Sequence, residues 1–99
     1  MIDAGDIYLA DLNEERRRQE MVISTGRFHQ WSGRALVAPQ INGPSLDVSY
    51  PWHVQVDGVE FAIDAVRTIQ LDRLLDRIDR APASVNLAVR RVIQSITEG

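Results

Sequence analysis

The sequence predicts a mainly β fold of the α+β class, in which a small barrel or a strongly bent antiparallel sheet carries helices at one end. Two observations predict this class. Short apolar runs separated by turn residues recur between residues 7 and 66, and the chain later changes to apolar residues at helical spacing. Ninety-nine residues suffice for one small domain, so we expect a single domain over residues 1–99.

The first half of the chain predicts three strands and two loops. The strands are short apolar or alternating runs at residues 7–12, 21–24 and 34–38. Pro39 ends the third strand, because proline cannot donate to a central ladder. The very polar segment between the first two strands predicts a charged loop. Residues 25–33 contain two Gly residues among aromatic groups, which predicts a loop carrying those groups.

The second half predicts a long loop, a hairpin and a short helix. Residues 40–49 are rich in Asn, Gly, Pro and Ser without periodicity, which predicts a long mobile loop. Residues 50–56 and 59–66 form strands around the hairpin turn Asp57-Gly58. Four apolar residues then recur at helical spacing and predict a short helix, although the last could also begin a small strand. They are Leu71, Leu74, Leu75 and Ile78.

The end of the chain predicts an amphipathic helix. Pro82 suits a first helical turn, and the residues after it place one apolar stripe at helical spacing. The stripe consists of Val85, Ala88, Val89, Val92, Ile93 and Ile96.

Composition restricts the function. Eleven basic residues, all of them Arg, stand against fourteen acidic ones, so the net charge of −3 argues against nucleic-acid binding by bulk charge. A local arginine cluster remains possible as a phosphate site. The absence of Cys excludes disulfides, a thiolate nucleophile and a zinc-thiolate site. Residues 1–6 lack the features of a signal peptide and no apolar run is long enough to span a membrane, so we expect a cytoplasmic protein.

The arginine run Arg16-Arg17-Arg18 has two interpretations. It is a solvated loop neutralised by neighbouring Glu residues, or it is a clamp for a scissile phosphate. Trp31, in a Gly-flanked polar segment, is expected to be exposed and to stack on a base or a partner. His53 is either a satisfied strand residue or a group that transfers a proton near neutral pH. His29 and His53 are the only imidazoles and have no further ligands at metal spacing, so we expect no metal or other cofactor.

Five segments, in order, resemble the MazF/PemK toxins. Gly5-Asp6-Ile7-Tyr8 resembles their opening strand, and Arg18 to Ser24 resembles their Arg-Pro-apolar-Ser strand with Gln19 in place of Pro. The other three are Ala38-Pro39, Tyr50-Pro51-Trp52-His53-Val54 and Asp64-Ala65-Val66-Arg67-Thr68-Ile69.

The resemblance implies the toxin of a type II toxin-antitoxin pair, a dimeric SH3-like barrel of five to seven strands that cleaves single-stranded RNA without a metal. The family's catalytic Arg falls on Arg18. Its Thr or Ser after the third strand falls on Ile41, which cannot donate a hydrogen bond, so Gln40, Asn42 or Ser45 becomes the alternative donor. The first loop also lacks the family's Gly-Ser-Glu segment.

These considerations give the expected site. The expected catalytic residues are Arg18, Asn42 and His53, and the expected RNA-binding residues are Arg16, Arg17, Gln40, Trp31 and Arg67. The expected partners are a second copy of the chain, single-stranded RNA, and a cognate antitoxin whose acidic tail lies across the arginine loop.

Two differences from the MazF/PemK pattern, Ile41 and the short first loop, leave two alternative functions open. The CcdB toxins, which bind and poison DNA gyrase without catalysis, share the barrel and the short first loop, and resemble residues 33–39 and Tyr50-Pro51. Their terminal Trp-Gly-Ile is absent, because this chain ends Thr97-Glu98-Gly99. A MazF-like fold that has lost its activity is the third interpretation.

Overall fold

The computed structural model describes residues 1–41 and 50–98. Within these ranges the chain forms seven strands, two α-helices and two single 3-10 turns. In chain order they are β1 (Asp6–Ala10), β2 (Arg18–Val22), α1 (Gly26–Ser32), β3 (Arg34–Pro39), β4 (His53–Val56), β5 (Val59–Ala62), a 3-10 turn (Ile63–Ala65), β6 (Arg67–Gln70), a 3-10 turn (Leu71–Arg73), β7 (Leu74–Arg80) and α2 (Ala83–Thr97).

The strands form one antiparallel sheet and a separate hairpin. The sheet has the order β6-β3-β2-β1-β7, and β4 pairs only with β5. This arrangement confirms the mainly β, α+β class with a C-terminal helix. In the part of the chain that the structure describes, the edge strands β6 and β7 are not paired with each other, so the barrel is open.

The sheet has a core on each face because side chains alternate along a strand. On one face the hairpin and α2 pack against the sheet around Ile7, Met21 and Phe61. On the other face Val22 and Val37 lie at the centre of a second buried cluster. Residues that alternate with Met21 along β2 therefore lie on the face away from α2.

Residues 26–32 form a helix inside the segment 25–33 that was predicted to be a loop. Thr25 has an extended backbone before α1, and Gly33 ends the helix in the left-handed region at φ 69°, with its N–H donating to the His29 carbonyl. Extended Thr before a helix and glycine after it are ordinary end signals. The seven-residue segment between them is too short to show helical periodicity.

The predicted helix over Leu71 to Ile78 is also wrong. Its first residues form a 3-10 turn, and the rest form β7, which pairs with β1. Leu75 and Ile78 are exposed instead of sharing a buried helical face. The pairing partner that β1 offers outweighs a weak helical pattern, because propensity is easily overridden by tertiary contacts. The predicted strand 59–66 ends at Ala62, and the polar strand β6 was not predicted.

Two local predictions are confirmed. Asp57 and Gly58 both have positive φ, 49° and 79°, as a two-residue hairpin turn requires. The C-terminal helix α2 covers the predicted apolar stripe. Most of the predicted loop over residues 40–49, including Asn42, lies outside the described residues. Over residues 1–41 and 50–98, the structure contains no helix with the length and apolarity needed to cross a membrane.

Candidate active site

Arg18 lies at the start of β2, opposite Ala10 of β1. Its Nη2 donates to Glu14 Oε2 at 2.9 Å, and about a third of each side chain is exposed (29% and 37%). The Arg18 Nε is buried without a hydrogen-bond partner among the described residues. The guanidinium is thus held at the surface by one exposed carboxylate, and a phosphate could replace that carboxylate.

The loop before β2 forms a concave surface around this arginine. Arg16 and Arg17 are exposed, and together with Arg18 and two glutamates they line a depression of about 470 Å³. The glutamates are Glu14 and Glu15. Three guanidinium groups against two carboxylates leave a local excess of positive charge in a chain that is acidic overall.

Glu20 is a buried carboxylate in the middle of β2, and sequence reasoning missed it. Its Oε1 accepts a hydrogen bond from Arg67 Nη2 at 2.6 Å, while its Oε2 is buried without a partner in the described part of the chain. Burial raises the pKa of Glu20, and the hydrogen bond and charge of Arg67 oppose that rise. The sequence feature that could have indicated a buried carboxylate is an acidic residue directly before the apolar run Met21-Val22-Ile23.

Gln40 joins the start of β2 to the hairpin. Its N–H donates to the Gln19 carbonyl at 3.0 Å, and its side-chain Oε1 accepts from the Gln19 N–H at 3.2 Å. Gln40 also forms a β-bridge with Phe61, and the Ile41 N–H donates to the Glu60 carbonyl at 2.8 Å. The Gln40 side-chain oxygen therefore accepts a hydrogen bond from the backbone of β2.

His53 begins β4 and lies between two carboxylates. Its Nδ1 is 2.6 Å from Glu60 Oε2, and its Nε2 is 3.4 Å from Asp64 Oδ1. The Tyr50 ring packs against the imidazole, with the two ring centroids 4.4 Å apart. The Tyr50 hydroxyl donates a hydrogen bond to Asp64 Oδ2 at 2.5 Å. That hydrogen bond is the main cause of the raised pKa of Tyr50. The contact with Glu60, the nearby Asp64 carboxylate and the Tyr50 ring together hold the imidazole in place.

Trp31 lies far from the arginine loop. It is 84% exposed, as predicted, but it projects from α1 rather than from a loop. The helix follows the Val22 end of β2, whereas Arg18 is at the other end. The structure thus brings Arg67 and Gln40 near the start of β2 but leaves Trp31 beyond the opposite end of that strand. Within residues 1–41 and 50–98, no three acidic or imidazole side chains are placed to hold a metal ion.

A family model matches almost the whole chain. It is described as PemK-like, MazF-like toxin of type II toxin-antitoxin system, and it covers residues 3–97. The chain belongs to this family. The toxin-family assignment agrees with the resemblance found in the strand motifs.

Solved structures of related proteins share the fold of this PemK/MazF family member. An endoribonuclease with its cognate antitoxin from Mycobacterial species has a TM-score of 0.80 at 12% identity, covering 98% of this chain and 95% of that one. A MazE-MazF structure from Deinococcus radiodurans has a TM-score of 0.80 at 24% identity with the same coverage. The Mycobacterium tuberculosis toxin MazF-mt6 has a TM-score of 0.76 at 19% identity, covering 94% and 96%.

One curated relative is much longer than this chain. The ATP-dependent RNA helicase DBP8 of Yarrowia lipolytica is 32% identical to this PemK/MazF family member over 97 residues. The match covers 98% of the chain but only 22% of the helicase, so the chain spans about a fifth of that relative's length.

Proposed function

We propose that the protein is the toxin of a type II toxin-antitoxin pair and cleaves single-stranded RNA without a metal. The observation that carries the proposal is the pair of guanidinium groups at the start of β2. Arg18 is held at the surface by a single exposed carboxylate, and Arg67 reaches the same face through the buried Glu20. Family membership supports the toxin assignment.

The chemistry is an attack of the RNA 2′-hydroxyl on the adjacent phosphate. A bond forms between the 2′-oxygen and phosphorus, the bond to the 5′-oxygen breaks, and a proton passes from the 2′-hydroxyl to the leaving oxygen. The products are a 2′,3′-cyclic phosphate and a 5′-hydroxyl. In this proposal Arg18 binds the phosphate and stabilises the negative charge that grows on it. His53 and Asn42 are the proposed proton-transfer or orienting groups.

The other predicted residues bind RNA on either side of the cleaved bond. Arg16 and Arg17 contact the backbone phosphates next to Arg18, and the side-chain NH₂ of Gln40 donates to the RNA. Trp31 lies beyond the Val22 end of β2, and Arg18 and Val22 are four residues apart, about 13 Å of strand. A base stacked on Trp31 therefore belongs to a nucleotide well away from the cleaved bond.

The proposed partners are a cognate antitoxin and a second copy of the chain. Solved structures with this fold include MazE-MazF complexes. An acidic antitoxin tail across Arg16, Arg17 and Arg18 would occupy the RNA phosphate contacts. A second copy would bury apolar surface that a domain of this size gains from covering. Light scattering at micromolar concentration should report a dimer, and a monomer would remove that part of the proposal.

RNA cleavage tests the function. The purified protein should cut a long single-stranded RNA at a short preferred sequence in EDTA and leave 2′,3′-cyclic phosphate ends. Arg18→Ala should abolish the cut. Arg90→Ala, which removes an exposed arginine from α2, is the matched control and should cut normally. Intact RNA together with stalled gyrase on plasmid DNA would replace the ribonuclease with a gyrase-binding toxin.

A further inference from the structure

Glu20 places a carboxylate in a buried position, which lowers the stability of the fold unless the charge is compensated. Its side chain is fully buried, and only one of its two oxygens has a hydrogen-bond partner among the described residues. A buried carboxylate costs free energy unless it is paired and fully hydrogen-bonded. The ion pair with Arg67 offsets part of that cost, while 41% of the Arg67 side chain stays exposed. The pair therefore joins a buried anchor to a guanidinium at the surface.

The strand register shows in which direction Arg67 reaches. Arg67 of β6 pairs with Val37 of β3, whereas Glu20 of β2 pairs with Pro39. Glu20 therefore lies two positions further along β3 than Arg67, towards the end of the sheet where Arg18 begins β2. To meet Glu20, the Arg67 side chain has to slant towards Arg18.

Arg18 lies on the same side of the sheet. Arg18 and Glu20 are two residues apart in β2, so their side chains share a face about 7 Å apart along the strand. The Arg18 Nε is buried and has no hydrogen-bond partner within the described ranges, and neither has the second oxygen of Glu20. Glu20 thus lies close to the guanidinium groups of both arginines.

We propose that Glu20 is a positioning residue that holds the Arg67 guanidinium beside that of Arg18, so that the two arginines grip one RNA phosphate. This rests on the proposed ribonuclease function. A guanidinium presents donors along more than one edge, so Arg67 can bind Glu20 with one edge and a phosphate with another. Arg67 then supplies the second phosphate contact, which the resemblance assigns to a hydroxyl at the position of Ile41.

Cleavage kinetics of paired variants test this role. Glu20→Gln keeps the side-chain shape but removes the charge, and kcat should fall about tenfold because the charge-assisted bond is lost. In an Arg67→Ala background the same change should cost nothing further, since Glu20 acts through Arg67. Arg67→Lys should be nearly as slow as Arg67→Ala, because lysine keeps the charge but lacks the planar fork.

Asp6→Asn is the matched control. Asp6 is also a buried carboxylate with an unpartnered oxygen among the described residues, and it lies 3.8 Å from Arg77 and Arg80. It is on β1 at the end of the sheet opposite Arg18, because Ala10 is the β1 residue that pairs with Arg18. Its replacement should change kcat by less than about twofold. An equal loss in Asp6→Asn and Glu20→Gln would overturn the positioning role.

The pH profile separates positioning from a structural role. The charged groups around Glu20 are Arg67 from β6, Arg18 from β2 and Glu14 from the loop, and Tyr8 of β1 stands opposite it in register. Burial raises the pKa of Glu20 above its ordinary 4.5, so cleavage should fall as the pH drops through that raised pKa and Arg67 is released. Glu20→Gln should lack this acid limb.

Stability should change in the opposite direction. A carboxyl whose pKa is raised on folding contributes stability below its unfolded pKa and loses that contribution as the pH rises through its folded pKa. Protonating Glu20 therefore stabilises the fold while it disables the site. Thermal unfolding should be measured over the same pH range. The protonation of Glu20 should not lower the melting temperature, so the loss of cleavage at acid pH does not come from unfolding caused by Glu20.

A phosphate titration makes failure of this inference distinguishable from failure of the proposed function. With labelled arginine side chains, inorganic phosphate should shift the guanidinium signals of Arg18 and Arg67 together in the wild type. In Glu20→Gln only the Arg18 signal should respond. Wild-type-like cleavage by Glu20→Gln would overturn the positioning role and leave the ribonuclease intact. If the wild type cuts no RNA, the proposed function fails, and unchanged phosphate shifts in Glu20→Gln would overturn the positioning role as well.

Discussion

At the scale of single residues, the Glu14 carboxylate binds the Arg18 guanidinium, which the proposed function assigns to a phosphate. The distance from Arg18 Nη2 to Glu14 Oε2 is 2.9 Å, and about a third of each side chain is exposed (37% of Glu14 and 29% of Arg18). Solvent-exposed ion pairs contribute at most about 1 kcal/mol. The contact is thus strong enough to orient the guanidinium and weak enough for a phosphate to displace.

Removing this competitor should tighten RNA binding. Glu14→Gln should lower the Kd for a non-cleavable single-stranded oligonucleotide by roughly twofold to fivefold, the value of one exposed ion pair. Fluorescence anisotropy at low salt measures the change. Glu15→Gln removes the same charge from the neighbouring exposed position and isolates the general effect of charge. A gain in Glu15→Gln as large as in Glu14→Gln would contradict direct competition at Arg18.

At the scale of elements, α1 is fixed to the sheet by one buried histidine. The His29 Nδ1–H donates to the Ile2 carbonyl at 3.0 Å, and Nε2 accepts from the Ser24 hydroxyl at 2.6 Å. The Ser24 oxygen in turn accepts from the Leu36 N–H at 2.9 Å. These bonds connect the N-terminal segment, the end of β2, α1 and β3, and they assign His29 a structural role.

Truncating His29 should therefore destabilise the whole fold. His29→Ala removes a buried ring and leaves two polar partners unsatisfied, which should cost about 2–4 kcal/mol of the free energy of unfolding. Denaturant unfolding measures the loss. Gln30→Ala, at the next, exposed position of α1, should change stability by less than about 0.5 kcal/mol. A cost for His29→Ala no greater than for Gln30→Ala would show that α1 is not anchored in this way.

The sequence was informative about elements wherever a local rule acts alone. The Asp57-Gly58 turn and the stripe of α2 were predictable because turn chemistry and helical period are local. β7 was not predictable, because Leu74 and Leu75 fit a helix until β1 provides an edge to pair with. Arg18 could be singled out as a cation in an arginine run, but Glu20 required knowing that β6 brings Arg67 over it.

At the scale of the whole molecule, a net charge of −3 coexists with a cationic depression around three consecutive arginines. The acidic residues are distributed along the whole chain, so the molecule as a whole does not attract RNA. Under the proposed function, RNA binding therefore depends on the few guanidinium groups in this depression. This distribution also explains why composition alone argued against a nucleic-acid ligand.

The salt dependence of RNA binding should reflect that small number of contacts. If Arg16 and Arg17 neutralise one phosphate each and Arg18 and Arg67 share a third, the plot of log binding constant against log salt should have a slope of about −2. Arg16→Ala and Arg17→Ala should each reduce the steepness of that slope by about 0.7, whereas Arg91→Ala on α2 should not alter it. A slope as steep as that of a strongly basic protein would contradict recognition by a few arginines.

The pairing of β1 with β7 has a consequence for the synthesis of the protein. Asp6 is in register with Arg80, so the first strand of the sheet obtains its second neighbour only after residues 74–80 have been made. Contacts between residues far apart in sequence form late because their loop closure is entropically costly. The nascent chain therefore cannot complete its sheet on the ribosome until β7 has emerged, so β1 waits with one unpaired edge while residues 23–73 are made.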